Sequence, residues 1–90
     1  MSTYIVTYDL NKEVTRPNIT KHLHDGFSAW ARLSESSYAI TTDLSPDQVY
    51  NYFLPLLDSN DSLLVITLKL PYWGQHKAEV IKWLDAELTY

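Results

Sequence analysis

Cysteine is absent from this chain, which removes disulfides, thiolate metal sites and a cysteine nucleophile at once. Glycine and proline are scarce, 2 and 4 in 90 residues, so each one present punctuates the fold. Basic residues are few: 7 Lys and Arg stand against 11 Asp and Glu, for a formal net charge of -4. The long-range field of such a chain repels phosphate, so it is not built as a general polyanion binder, and a nucleic-acid partner, for which a local basic patch would have to work against the whole, is not favoured. The charged fraction of 20% is also too low and too mixed for a surface that imitates DNA. No apolar run approaches the roughly 18 residues of a membrane span. The opening MSTYIVTYDL lacks a basic start and a small-residue cleavage site. It reads as a strand and not as a secretion signal, and the expected compartment is the cytoplasm. What is present is apolar: 46% hydrophobic and 13% aromatic residues. That is enough for one core, in a single domain spanning 1–90.

Thr3 to Tyr8 is rich in β-branched and aromatic residues and predicts a strand. Tyr4, Val6 and Tyr8 point one way, Ile5, Thr7 and Asp9 the other, and bulk on both faces suits a central position in a sheet. After the polar loop 9–13 a helix is expected near Thr15, with Thr15 as cap and Pro17 in the first turn. Ile19, Leu23 and Phe27 make its apolar stripe, and Gly26 its stop. Trp30–Leu33 and Ser37–Thr42 predict a hairpin around Ser34, Glu35 and Ser36. Ser45, Pro46 and Gln48 open a second helix with a capping box; Val49, Tyr52, Phe53 and Leu56 form its stripe, and Pro55 ends it. Leu63 to Leu70 predicts a strongly apolar strand, broken by Pro71-Tyr72-Trp73-Gly74. A last helix is expected over Gln75–Leu88, with Ala78, Ile81, Leu84 and Leu88 on one side and Trp83 on the flank.

The order is β-α-β-β-α-β plus a helix: an α+β, ferredoxin-like fold with a four-stranded antiparallel sheet and a C-terminal addition over 71–90. Right-handed crossovers put the first and third strands in the centre and two helices on one face. The other face then needs a cover, from the last helix or from a second subunit, and a homodimer built through sheet surface or edges is expected.

Asp9 is the sharpest chemical candidate, a carboxylate ending an apolar strand at the rim of the sheet. Its bland reading is a turn or helix-entry residue. Arg16 lies at the mouth of the first helix, where it either pairs with Asp9, meets a phosphate, or stands as a solvated charge. His22 and His24 are two apart and face different sides of a helix, and His76 is distant, so a histidine metal site is not expected. Asp43 and Asp47 are cap or turn residues unless the fold brings them to Asp9. Ser34, Ser36 and Ser37 have no base signature and no nucleophile is assigned. The aromatics read as core and interface packing, because the basic surroundings of an RNA-stacking sheet are missing.

The string Tyr4-Ile5-Val6-Thr7-Tyr8-Asp9-Leu10, followed by a polar loop and Arg16, resembles the start of the second CRISPR adaptation protein (Cas-two) and of the related VapD and SinR-like proteins. Trp30-Ala31-Arg32-Leu33, Ser36-Ser37-Tyr38-Ala39-Ile40 and the late strand Leu63-Leu64-Val65-Ile66-Thr67-Leu68 extend the resemblance over roughly residues 3–70. It implies a ferredoxin-like homodimer. In relatives with nuclease activity the Asp matching Asp9 meets its counterpart across the dimer axis, and the pair holds Mg²⁺ for phosphodiester cleavage. Asp9 would be the catalytic and metal-binding residue and Arg16 a nucleic-acid contact. Other relatives act without nuclease activity. The chain departs from the pattern at Pro17, in place of a second basic residue, and in having 71–74 and a helix where relatives carry a short fifth strand. Two functions therefore stand open: a metal-dependent endonuclease, in particular an endoribonuclease, of the Cas-two/VapD type, and a non-catalytic ferredoxin-like module that dimerises or binds a protein.

Overall fold

The period-two alternation of the first strand places it where that pattern requires, between two neighbours and between two layers. The computed structural model describes residues 1–90, the side chain of Glu13 excepted. Strand β1 runs Ser2–Asp9, α1 Arg16–Gly26, β2 Ala29–Ser34, β3 Ser37–Thr42, α2 Pro46–Phe53, β4 Ser62–Thr67 and α3 Ala78–Glu87. The sheet is antiparallel with order β2-β3-β1-β4. This is the expected ferredoxin-like arrangement, with the first and third strands central.

On one face Tyr4, Val6 and Tyr8 of β1 stand in register beside Tyr38 and Ile40 of β3. They close a core with Ile19, Leu23 and Phe27 from α1 and its end, Val49 and Phe53 from α2, and Leu63. The two helices are locked by a reciprocal pair. Tyr52 Oη donates to the His22 carbonyl at 2.7 Å, and the His22 ring nitrogen bonds the Tyr52 carbonyl at 2.8 Å. The two rings stack with centroids 3.8 Å apart. Gly26 belongs to this contact: a Cβ there would lie 2.5 Å from Tyr52 Cζ. It is the last residue of α1, the stop the sequence predicts, and also the bare surface on which the tyrosine rests; Phe27 follows as the extended cap.

The opposite face is covered by α3. Val80, Leu84 and Leu88 bury against Ala39, whose missing side-chain bulk lets the helix approach the centre of the sheet. Leu33, Leu68, Leu70, Tyr72 and Trp83 fill the margin. Among the described residues no helix is long and apolar enough to cross a membrane.

Several boundaries differ from the sequence reading, for local reasons. Thr15 does not cap α1, because a 3₁₀ turn over Glu13–Thr15 already gives it helical geometry. The capping box of α2 forms as expected, with the Ser45 amide donating to Gln48 Oε1 at 2.9 Å. Pro55 lets the chain continue one 3₁₀ turn, Leu54–Leu56, past Phe53. Strand β4 ends at Thr67 and not at Leu70: the Leu68 amide still reaches the Thr3 carbonyl at 2.9 Å, but the Leu70 amide turns away to the Thr89 carbonyl at 2.8 Å. Helix α3 starts at Ala78 and not at Gln75, because His76 is engaged elsewhere. Its Nδ1 accepts the Lys77 amide, and its other ring nitrogen meets the Leu33 carbonyl, both at 2.8 Å. The buried stripe is accordingly Val80, Leu84 and Leu88, with Ala78 exposed and Ile81 only half-buried.

Two fold-level outcomes follow. Deleting residues 75–90 strips the cover from Ala39 and its neighbours, and the truncated chain is expected to unfold or aggregate. Leu84→Ala is expected to cost about 2–5 kcal/mol in chemical denaturation; an unchanged midpoint would mean that α3 is not part of the cooperative unit.

Candidate functional site

Asp9 is the last residue of β1, opposite Ser62 of β4, and its side chain is exposed. The polar loop that follows is tied to the start of β4. The Asn11 amide donates to Asp61 Oδ1 at 2.7 Å, and the Asp58 amide to Asp61 Oδ2 at 3.0 Å. These two backbone donors hold the Asp61 carboxyl below the usual carboxylate range. Asp61, not Asp9, is thus the carboxylate that organises this rim. Among the described residues nothing hydrogen-bonds the Asp9 carboxylate.

Arg16 opens α1 and turns toward β3, to the other side of β1. Its guanidinium donates to the Glu35 carbonyl and, at 3.0 Å, to Ser36 Oγ, and it lies over the Tyr8 ring, 5.8 Å from the centroid. Tyr8 reaches the same turn: its hydroxyl donates to the Glu35 carbonyl at 3.2 Å and its amide to the Ser36 carbonyl at 2.9 Å. Burial raises the Tyr8 phenol above its ordinary value; Tyr38 adds to the rise and Arg16 opposes it. The phenol therefore stays protonated and available as a donor. Together Tyr8 and Arg16 pin the β2–β3 turn to the helix entrance. The pairing of Arg16 with Asp9 weighed from sequence does not occur, since no ion pair joins them.

The remaining candidates are dispersed. Asp43 and Asp47 sit beyond the far end of β1, where Ser2 faces Thr42; Asp43 lies 4.0 Å from the terminal amine, and Asp47 accepts from Ser45 Oγ at 2.5 Å. His22 is held by Tyr52, His24 stacks on Trp30 at 4.2 Å, and His76 is held at Leu33. Ser34 and Ser37 bond each other at 2.6 Å across the hairpin. Among the described residues no three His, Asp or Glu side chains gather where they would hold a metal ion. Mg²⁺ prefers near-octahedral oxygen coordination. Within one subunit Asp9 offers it a single carboxylate, so a magnesium site at Asp9 would draw further ligands from a second subunit.

The sequence reading undervalued the free side of the sheet. Leu64 and Ile66, 61% and 50% exposed, stand on the α3 face of β4, beyond the reach of that helix. On the helix side of the same strand, Tyr50, Leu54, Leu57, Asp58, Asp61 and Leu63 line an open groove of about 600 Å³. The alternation of β4 was readable in the sequence. Its place at the edge follows from the expected order with the first and third strands central; what the sequence did not show is that α3 leaves Leu64 and Ile66 uncovered.

No family model and no curated protein matches the chain. Among solved structures it is similar to a hypothetical protein, TT1823, from Thermus thermophilus. The identity is 20% and the TM-score 0.60, over 82% of this chain and 92% of that one. At that identity the likeness concerns the fold alone, and it agrees with the ferredoxin-like α+β architecture.

The two principal candidates should separate under mutation. Arg16→Ala removes donors to two groups of the hairpin turn and is expected to cost about 1–2 kcal/mol of stability. Asp9→Asn should cost on the order of 1 kcal/mol or less. Thermal melts of both variants check this; an Arg16→Ala protein as stable as the parent would show that the hairpin does not depend on the guanidinium.

Proposed function

We propose that this chain is a non-catalytic ferredoxin-like module that works by dimerisation or by holding a protein partner. The supporting observation is the unfinished cover of its sheet: α3 closes the β2–β3 half of the second face, while Leu64 and Ile66 on β4 stay open to solvent. Two neighbouring exposed apolar side chains on an unpaired edge strand make a surface that a partner can cover. The absence of a cluster of three or more acidic or histidine side chains among the described residues, the structural employment of Arg16 and the net charge of -4 all favour this reading over phosphodiester chemistry.

The second reading is the metal-dependent nuclease of the Cas-two/VapD type, in which Asp9 and Mg²⁺ act across a two-fold axis. It is favoured by one observation: the Asp9 carboxylate is exposed at the carboxyl end of a central strand and is not used by the fold. Arg16 enters that reading only as a guanidinium already committed to the turn at Glu35 and Ser36.

Incubation of wild type and Asp9→Asn with single-stranded RNA and duplex DNA, in Mg²⁺ and in Mn²⁺, separates the two. The module reading expects no cleavage by either protein. Cleavage by wild type that Asp9→Asn abolishes would overturn it in favour of the nuclease.

A further inference from the structure

The two edges of the sheet are treated differently. The β2 edge carries the charge of Arg32 and a register break between Arg32 and Ser34, and the Leu33 carbonyl is occupied by His76. Charges and bulges are the devices that keep an edge from pairing with another chain. The β4 edge, Ser-Leu-Leu-Val-Ile-Thr, has none of them: no charge, no proline and an unbroken register with β1.

The orientation of its backbone follows from the ladder. The Leu68 amide donates to the Thr3 carbonyl at 2.9 Å, so Leu68, and by alternation Ile66, Leu64 and Ser62, turn their peptide groups toward β1. Leu63, Val65 and Thr67 therefore turn theirs outward, where no strand of this chain meets them.

Resting on the module reading, we infer that β4 is the dimer seam: it pairs antiparallel with β4 of a second copy about a two-fold axis at Val65, joining two sheets into one of eight strands. In that register Val65 faces its own mate and Leu63 faces Thr67, so every outward amide and carbonyl of the three residues finds a partner. Leu64 falls beside Ile66 of the second copy on the α3 face, which covers both exposed side chains. Asp61 falls opposite Lys69, and the groove rim of Asp58 and Asp61 receives that ammonium. The strand is acidic before it and basic after it, so antiparallel pairing sets opposite charges together where parallel pairing would set like against like. The second copy is thereby preferred over an unrelated strand, because the charges at the two ends complement each other. Such a seam keeps the two Asp9 residues apart by roughly 25 Å, from strand spacing and rise, and no metal is shared between them.

The test joins mass, exchange and one variant. Sedimentation at micromolar concentration is expected to give twice the 10.4 kDa chain mass. Amide exchange at Leu63, Val65 and Thr67 is expected to slow at least tenfold on going from dilute to concentrated protein, while Leu64 and Ile66, bonded to β1, stay slow throughout. Thr67→Pro removes an outward donor and leaves the β1 ladder intact, and it should weaken the dimer at least tenfold. A monomer at every concentration overturns the seam, as does a dimer whose outward amides exchange freely, or a folded Thr67→Pro protein that dimerises like wild type. The exchange pattern of wild type decides the matter if Thr67→Pro does not fold. A monomer that fails to cleave nucleic acid would remove the seam and leave the module reading in place, whereas Asp9-dependent cleavage would remove that reading.

Discussion

A sheet with apolar side chains on both faces has to be covered twice, and in 90 residues there is barely enough chain to do it. The rest of the structure follows from how that is met at β1. Its Tyr4, Val6 and Tyr8 face takes two helices and becomes the larger core. Its Ile5 and Thr7 face receives only α3, which settles over Ala39 because alanine is the small residue there. Burial of an aliphatic side chain is worth about 1.5–3 kcal/mol. The few residues that α3 contributes therefore matter to a domain whose whole stability is of order 10 kcal/mol. A ten-residue helix cannot reach β4 as well, and the sheet is left open on that side.

The polar groups near the carboxyl end of β1 are best understood as joinery. Tyr8 and Arg16 converge on the Glu35 carbonyl from the strand and from the helix entrance. A hairpin turn leaves carbonyls that the ladder does not satisfy, and these two side chains satisfy one of them at a junction of three elements. Asp61 does the corresponding work on the other side of β1, collecting amides from the loop after that strand and from the turn before β4. Between these two anchored corners Asp9 has no structural task. That is why it is the residue on which a catalytic reading must rest, and also why that reading needs ligands from outside the subunit.

The histidines show the same economy. His22, His24 and His76 all find a ring or a carbonyl within their own neighbourhood, and each joins two elements: α1 to α2, α1 to β2, and the α3 entrance to β2. The His22–Tyr52 pair also explains a glycine that sequence logic assigns to a helix stop. Gly26 does end α1, and its bareness in addition admits the tyrosine ring.

The sequence by itself determined the elements, their order and the faces they bury, α3 excepted, where Val80 and not Ala78 or Ile81 turns inward, because periodicity of apolar residues is local information. The alternation of β1, the stripe Ile19–Leu23, the capping box at Ser45 and the break at Pro71 all lie within a few residues of what they specify. It determined the ferredoxin-like topology as well, since few connections of that element order avoid left-handed crossovers. Only the tertiary structure decided where β4 stops and α3 starts, because those limits depend on partners distant in the chain: the Thr89 carbonyl draws the Leu70 amide out of the ladder, and the Leu33 carbonyl holds His76 ahead of the helix. It alone decided that Arg16 belongs to the hairpin turn and not to Asp9, a choice between two neighbours that lie on opposite sides of one strand. And it alone showed which apolar residues of β4 are left uncovered, since exposure depends on the length of a helix packed across the sheet and not on any pattern within the strand.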